Sequence, residues 1–346
     1  GDRDDRRVRG YGAKSQMTDR AKTNVSRALP ALSGREIMSL LRTRTIIALF
    51  LLLLVFVAGI EVARPGTVNA LWASNMVLFA APLGIVAAGQ TLVMLTGGID
   101  LSVASVATAA AYIMATHSAL GGVPAVSYGL SVGLTVGLIN GIGIALLRVQ
   151  PLVMTLGTGL MTEGMLVVYS QKMMADAPRV PQFIEDLGAG KFLGGVPNDL
   201  LLWAPIALVI IFVLRRTGYG RLLYAIGDNS EACHLAGIRV WRVLLVNYIL
   251  CSLLAGAAGL VIVGGTDAAD LSLADVYLLP SVAAVIIGGT SIFGGRGGYS
   301  GTIIGALILT VLNSILTLLD APEPIRQILY GAIILLLAAA YTRLTD

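Results

Sequence analysis

Two kinds of stretch in this 346-residue chain place polar and small residues at spacings that could do mechanical or binding work. The first is Asp228-Asn229-Ser230-Glu231-Ala232-Cys233-His234-Leu235-Ala236-Gly237. Asp228, Asn229 and Ser230 are N-cap types, the following residues form a short helix, and Gly237 stands where a C′ residue would end it. Arg215, Arg216 and Arg221 precede it. With Glu231 on the helix and small residues such as Ala232 and Ala236 on one side, the segment could insert into a partner's groove. An ordinary polar connection would read the same way. The second kind is Gly97-Gly98-Ile99-Asp100-Leu101-Ser102, echoed by Gly288-Gly289-Thr290-Ser291. Both read as an apolar helix, a glycine pair, a small polar cap and another helix. Ser102 could cap the helix after it, and Asp100 would gain from the positive end of that helix. The echo hints at an internal duplication with interrupted helices in matching positions. Two tight hairpins whose glycines merely permit the turn would give the same pattern.

Polar residues inside apolar stretches are few: Gln90, Asn140, Glu163, Asn247 and Asn313 are the costliest to bury. Such groups face a bundle interior or an aqueous pathway, although helix–helix hydrogen bonding is the commoner use of Asn and Gln. Glu163 is the only acidic residue well inside such a stretch. No G-x-x-x-x-G-K-[ST] loop occurs, so the chain does not hydrolyse ATP by the usual route. His117 and His234 lie far apart with no metal-ligand set, and no Ser/His/Asp or Cys/His constellation emerges. No catalytic, cofactor-binding or metal-binding residue is expected, and no nucleic-acid surface.

The elements that must position these residues follow from composition. The chain is 56% apolar and only 13% charged, with a strongly positive mean hydropathy, whereas soluble domains carry about 25% charge. Its apolar blocks are continuous and long enough to cross a bilayer, so they read as membrane helices, not barrel strands. Ten spans are predicted, near 45–62, 72–96, 102–120, 124–147, 152–171, 200–214, 242–264, 276–293, 299–318 and 325–341. The small-residue runs Gly129–Gly143 and Cys251–Gly265 predict close helix crossings. With the N-terminus inside, the inner segments hold Arg35, Arg42, Arg44, Arg148, Arg215, Arg216, Arg221, Arg239, Arg242, Arg296 and Arg343. The outer ones hold Arg64, Lys172, Arg179, Lys191 and Arg326. That bias puts both termini on the cytoplasmic side. Acidic residues gather outside, with Asp267, Asp270 and Asp275 in one loop and Asp320 and Glu323 in another. Two connections are long enough to be functional, 172–199 outside and 215–241 inside. Cys233 falls in a polar loop and Cys251 in a span, so no disulfide framework is indicated. Residues 1–16 are charged, lack an apolar core and could be an extension, an expression remnant or a disordered tail. Residues 1–40 read as a cytoplasmic tail and 41–346 as one transmembrane domain.

Four segments in order resemble the ribose/xylose-type permeases of bacterial ABC sugar importers. They are LVMLTGGIDLSVASV at 92–106, NGIGIALLRVQPLVMTLGT at 140–158, GRLLYAIGDNSEACHLAGIRV at 220–240 and AAVIIGGTSIFGGRGGYSGTIIGALIL at 283–309. The resemblance covers roughly 40–343. It implies an all-α, ten-helix type II importer permease working as a dimer, either of two copies or with a paralogue. It also implies two cytoplasmic ATPase subunits that use ATP and Mg, and a periplasmic sugar-binding protein. Residues 228–238 then take the role of the coupling helix, matching the fuller E-A-A pattern only loosely around Glu231, Ala232 and Gly237. By this reading the 172–199 loop meets the binding protein. A permease for branched-chain amino acids or a furanone signal, or an ion-coupled secondary transporter, are the competing readings.

Overall fold

The computed structural model describes residues 45–346 except 173–179, 193–194, 267–269 and 346. The expected amino-terminal tail, Arg35, Arg42, Arg44, Arg179 and Asp267 lie outside the described residues, as does the side chain of Arg343.

Twelve α-helices occur among the described residues. They are α1 (Thr45–Ala63), α2 (Ala70–Leu95), α3 (Val103–Thr116), α4 (Gly122–Ala145), α5 (Pro151–Lys172), α6 (Gln182–Ala189), α7 (Leu200–Arg216), α8 (Gly218–Leu235), α9 (Val240–Thr266), α10 (Leu278–Ile287), α11 (Tyr299–Leu318) and α12 (Glu323–Thr345). A two-residue antiparallel hairpin pairs β1 (Lys191–Phe192) with β2 (Val196–Pro197) in the 172–199 connection. Among the described residues six helices are long and apolar enough to cross a bilayer, or seven if the pair α7 and α8, bent by 70°, counts as one span.

The spans expected at 102–120 and 276–293 are shorter than the sequence suggested. Helix α3 has 14 residues and α10 has 10, about 21 and 15 Å at 1.5 Å per residue, against roughly 30 Å of hydrocarbon. The first loses its end to a 3-10 turn at Ser118–Leu120; the second loses its start to a 3-10 turn at Asp275–Tyr277 and its end to the Gly288-Gly289 turn. Most of each helix is buried, Pro280–Ile286 in α10 and eleven of the fourteen residues of α3, which is the condition under which non-helical backbone survives at membrane depth. The sequence reading also missed α6, a short helix within a loop rich in Pro and Gly.

Helix α9 is the axis of the bundle, with α2, α3, α4 and α6 laid against it. The crossing with α4 is backbone to backbone. Cβ atoms built on Gly133, Gly137 and Gly141 would meet Ser252 O at 2.6 Å, Ile249 Cα at 2.8 Å and Leu245 O at 3.0 Å. One glycine per turn along α4 thus removes the side chains that would hold the helices apart. Gly188 of α6 lies on Gly265 N in the same manner, at 2.5 Å. The core on either side is aliphatic and small, with Ile85, Val86, Met114, Ala255 and Ala258 on one side and Ala283, Ala284, Val285 and Leu309 on the other.

Candidate functional site

The segments singled out by the sequence meet at one end of the bundle. Helix α2 stops at Leu95 in a Schellman turn. Gly97 N donates to Met94 O and Gly98 N to Val93 O, with Gly97 at φ +78°. Helix α10 ends in the same turn, with Gly289 N on Ile286 O, Thr290 N on Val285 O and Gly289 at φ +88°. Only glycine enters this left-handed region without penalty. The other member of each pair serves close approach. A Cβ on Gly98 would strike the Tyr248 hydroxyl, and one on Gly288 would reach Thr302 N at 2.5 Å. Each turn joins one long helix to one short one.

Between these turns sits the elbow of α8. Gly295 N donates to Leu95 O at 3.0 Å, bridging the two turns. A Cβ on Gly227 would collide with that same Leu95 carbonyl and with Gly295 N. Gly294 lies over Gly97 N and Gly227 Cα, both 2.9 Å from its ideal Cβ. Three chain segments therefore touch through backbone alone. Tyr224 adds a side-chain tie, its hydroxyl donating to Gly297 O at 3.0 Å. Burial pushes this phenol's pKa up while Arg215 beside it pulls the other way, and Arg215 itself donates to Ser300 Oγ at 3.0 Å.

The helix then breaks. Asn229 takes extended backbone angles, φ −157° and ψ 97°, and its Oδ1 accepts from Ala232 N at 2.9 Å. Asn229, flanked by Asp228 and Ser230, is thus the N-cap of a short terminal helix. Glu231, Ala232, His234, Leu235 and Ala236 stand exposed on it, while Cys233 is buried beneath. Gly237 closes it in a third Schellman turn, with Gly237 N on His234 O and Ile238 N on Cys233 O. A capped, exposed helix is held against the bundle by an elbow where Gly227, Leu95 and Gly295 meet backbone to backbone, with the Tyr224 hydroxyl beside them.

Behind the first turn lies a buried polar chain. Asp100 is fully buried; its Oδ1 accepts from Ser102 N at 2.9 Å and from Ser102 Oγ at 2.5 Å. Asn140 Nδ2 donates to Ser102 Oγ at 2.9 Å, and Thr158 Oγ1 donates to Asn140 Oδ1 at 2.6 Å. Gln90 brackets the Asp100 backbone, Nε2 to its carbonyl and Oε1 from its amide. Thr155 receives Leu101 N at 3.0 Å. Ser102 therefore does not cap α3 with its side chain, as expected from its position. Asp100 accepts from both the Ser102 amide and its hydroxyl instead, and that hydroxyl in turn accepts from Asn140. The chain ties α2, α4 and α5 to the turn.

The five in-span polar residues go to different places. Gln90 and Asn140 belong to this chain, and Asn247 Nδ2 donates to Leu92 O at 2.9 Å. Asn313 Oδ1 accepts from Arg326 Nη1 at 2.7 Å near the opposite end. Glu163 alone is exposed, on α5. Burial first, then the charges of Glu163 and Asp270, raise the pKa of Asp275. Sequence reasoning missed Gly227, Gly294, Gly295, Thr155 and Thr158. The dense glycines at 294–298 were a visible signal, but their partner segments were not. Among the described residues no three His, Cys, Asp or Glu side chains gather as a metal site.

Residues 72–338 match the family model described as branched-chain amino acid transport system / permease component. The chain is 35% identical over 321 residues to a ribose import permease of Escherichia coli strain K12, covering 88% of this chain and 96% of that one. A fructose import permease of Rhizobium meliloti is 35% identical over 271 residues, 75% of this chain and 74% of that one. A galactofuranose transporter permease of Escherichia coli strain K12 is 33% identical over 262 residues, 74% and 75% of the two chains. No solved structure matches.

Proposed function

The chain belongs to the family of branched-chain amino acid transport system permease components, and on that premise we propose that it is the membrane-spanning permease subunit of an ATP-driven sugar importer. Relatives named for ribose, fructose and galactofuranose, aligned over most of their length, support sugar as the cargo class. The permease is a multi-pass protein of the bacterial inner membrane with ten membrane segments, two of them short and buried, in a type II arrangement. Both termini face the cytoplasm. That orientation puts Arg148, Arg215, Arg239 and Arg296 on the inside, in keeping with the positive-inside bias. A second copy or a paralogue completes the pathway, and a periplasmic binding protein delivers the sugar against the 172–199 loop.

The energy comes from two partner ATPases that use ATP and Mg. They grip the capped helix at 229–237, with Asp228, Asn229, Glu231, Ala232, Ala236 and Gly237 forming or shaping the contact. The observation that carries this reading is the backbone-to-backbone joint of Gly227, Leu95 and Gly295. Movement of the docked helix is passed to the ends of α2 and α10 without a rotamer to absorb it. ATP-dependent docking supplies the differential interaction that a two-state change requires, and the two glycine turns at Gly97-Gly98 and Gly288-Gly289 are where the helices give way. Sugar meets Glu163 along the exposed face of α5, while Gln90, Asn140, Asn247 and Asn313 keep the pathway helices in register.

Reconstituting the permease with its ATPase and binding protein, and measuring uptake of labelled sugars, tests the reading. ATP-dependent uptake of a pentose or hexose is expected. The family's own description favours a second reading, and ATP-dependent uptake of leucine or isoleucine with no sugar uptake would establish it instead.

A further inference from the structure

A cleft of 650 Å³ opens between the end of α4, the capped terminal helix of α8 and the start of α9. Arg148, His234, Arg239 and Trp241 line it, with Glu231 as the one acidic wall residue. Neither Arg148 nor Arg239 has an ion-pair or side-chain hydrogen-bond partner among the described residues. Arg148 is presented from a backbone at φ +58°, a left-handed geometry that residues with side chains rarely adopt. It is held there by Val149 N on Gly143 O and Leu147 N on Ile142 O. At the mouth the Arg242 guanidinium stands 5.1 Å from the centre of the Trp241 ring, the pairing of cation and indole that suits a membrane interface. Below the cleft, α4 exposes Leu134, Leu138 and Ile142, one residue per turn, and Leu146 just past its end continues the row and is itself part of the cleft wall. An exposed apolar strip thus runs up the helix into a pocket holding two arginines with no partner among the described residues.

We propose that this cleft holds the phosphate headgroup of an anionic phospholipid, with Arg148 and Arg239 on the phosphate and an acyl chain along the α4 strip. A soluble anion would use the arginines but leave the strip unexplained. A soluble protein partner could not follow the strip into hydrocarbon. Because Ser230, Glu231, His234 and Gly237 of the capped helix form the opposite wall, an occupied cleft props that helix away from α4. Glu231 and Gly237 are shared with the proposed ATPase contact, so lipid retention is read on the permease alone, where its failure is distinguishable from failure of the sugar and ATPase assignments.

The test uses the full-length permease, delipidated and then offered equal phosphatidylglycerol and phosphatidylcholine, with bound lipid counted by native mass spectrometry. Preferential retention of phosphatidylglycerol is expected. Each arginine near an anionic surface is worth about five-fold in binding, so Arg148→Gln with Arg239→Gln should bring retention close to parity. The paired lysine variant, Arg148→Lys with Arg239→Lys, should keep the preference, and so should Arg64→Gln at the other end of the bundle. An unchanged melting temperature of the glutamine variant in phosphatidylcholine checks its fold; if it does not fold, the lysine and Arg64 variants still carry the comparison with the unmodified chain. Equal retention of the two lipids by the unmodified chain would overturn the proposal, as would a preference that survives loss of both arginines. Displacement of the bound lipid by inorganic phosphate would reassign the cleft to a soluble anion. Displacement by a purified ATPase partner would reassign it to that protein.

Discussion

The amide of Gly295 donates to the carbonyl of Leu95 at 3.0 Å, and Gly227 is pressed so close to that carbonyl that even a methyl group would collide with it. One acceptor thereby marks where the exposed elbow of α8 meets the turns that end α2 and α10. The neighbouring atoms are backbone, so they cannot swing aside as a flexible side chain would.

Gly227→Val tests the joint. Overpacking of this kind costs about 1–3 kcal/mol, so a lowered melting temperature with a folded protein is expected. In the reconstituted importer, sugar uptake per ATP hydrolysed should fall by about ten-fold or more, a loss of roughly 1.4 kcal/mol of coupling. Ala225→Val, two residues away on the same helix, serves as the comparison. An unchanged uptake-to-hydrolysis ratio in Gly227→Val would remove the elbow from the coupling route.

Asn140 tests the polar chain behind the first turn. Replacing it with Leu leaves Ser102 and Thr158 short of a buried partner, a penalty of about 1–3 kcal/mol for each group left unmatched. Asn140→Leu should therefore lower the unfolding midpoint clearly in detergent titrations. Combining it with Ser102→Ala should recover part of the loss, because the orphaned hydroxyl goes with it. Additive losses in the double variant would show that the two side chains do not act together.

Asp199 gives the structure a pH dependence. It is buried at the start of α7, where its carbonyl accepts from Trp203 N at 2.9 Å. Burial raises its carboxyl pKa to about 7. The folded state thus holds the proton more tightly than the unfolded state, whose pKa is the ordinary carboxylate value. Its stabilising effect is complete below the unfolded pKa and is lost as pH rises to about 7. Melting temperatures of the purified protein should fall between pH 5 and pH 8, and Asp199→Asn should flatten that part of the profile. An equally steep fall in the variant would place the titrating group elsewhere.

What the sequence made legible was local. Gly97, Gly289 and Gly237 announced helix ends because each Schellman turn is built from neighbours in the chain. The cap at Asn229 was readable for the same reason, and the runs 129–143 and 251–265 gave away the small-residue faces that join α4 to α9. The ribose-type motifs identified the family, and the comparisons agree with them. What stayed hidden depends on contacts between distant segments. Nothing around Gly227 says that Leu95 will lie on it. Hydropathy measures how apolar a stretch is and not how deep it sits, so α3 and α10 looked like full spans. Ser102 had the type and place of a cap, yet a buried Asn140 from another helix supplied a competing partner.

The shortness of α3 and α10 also bears on how the chain is made. Neither helix is long enough to be handed to the bilayer by itself, and α3 is synthesised well before α9, the helix that covers it. Biogenesis must therefore pass through a stage in which α3 has left the ribosome without its shelter. During that interval the segment around Asp100 waits near the interface or within the insertion machinery. Order of synthesis and order of assembly part company there.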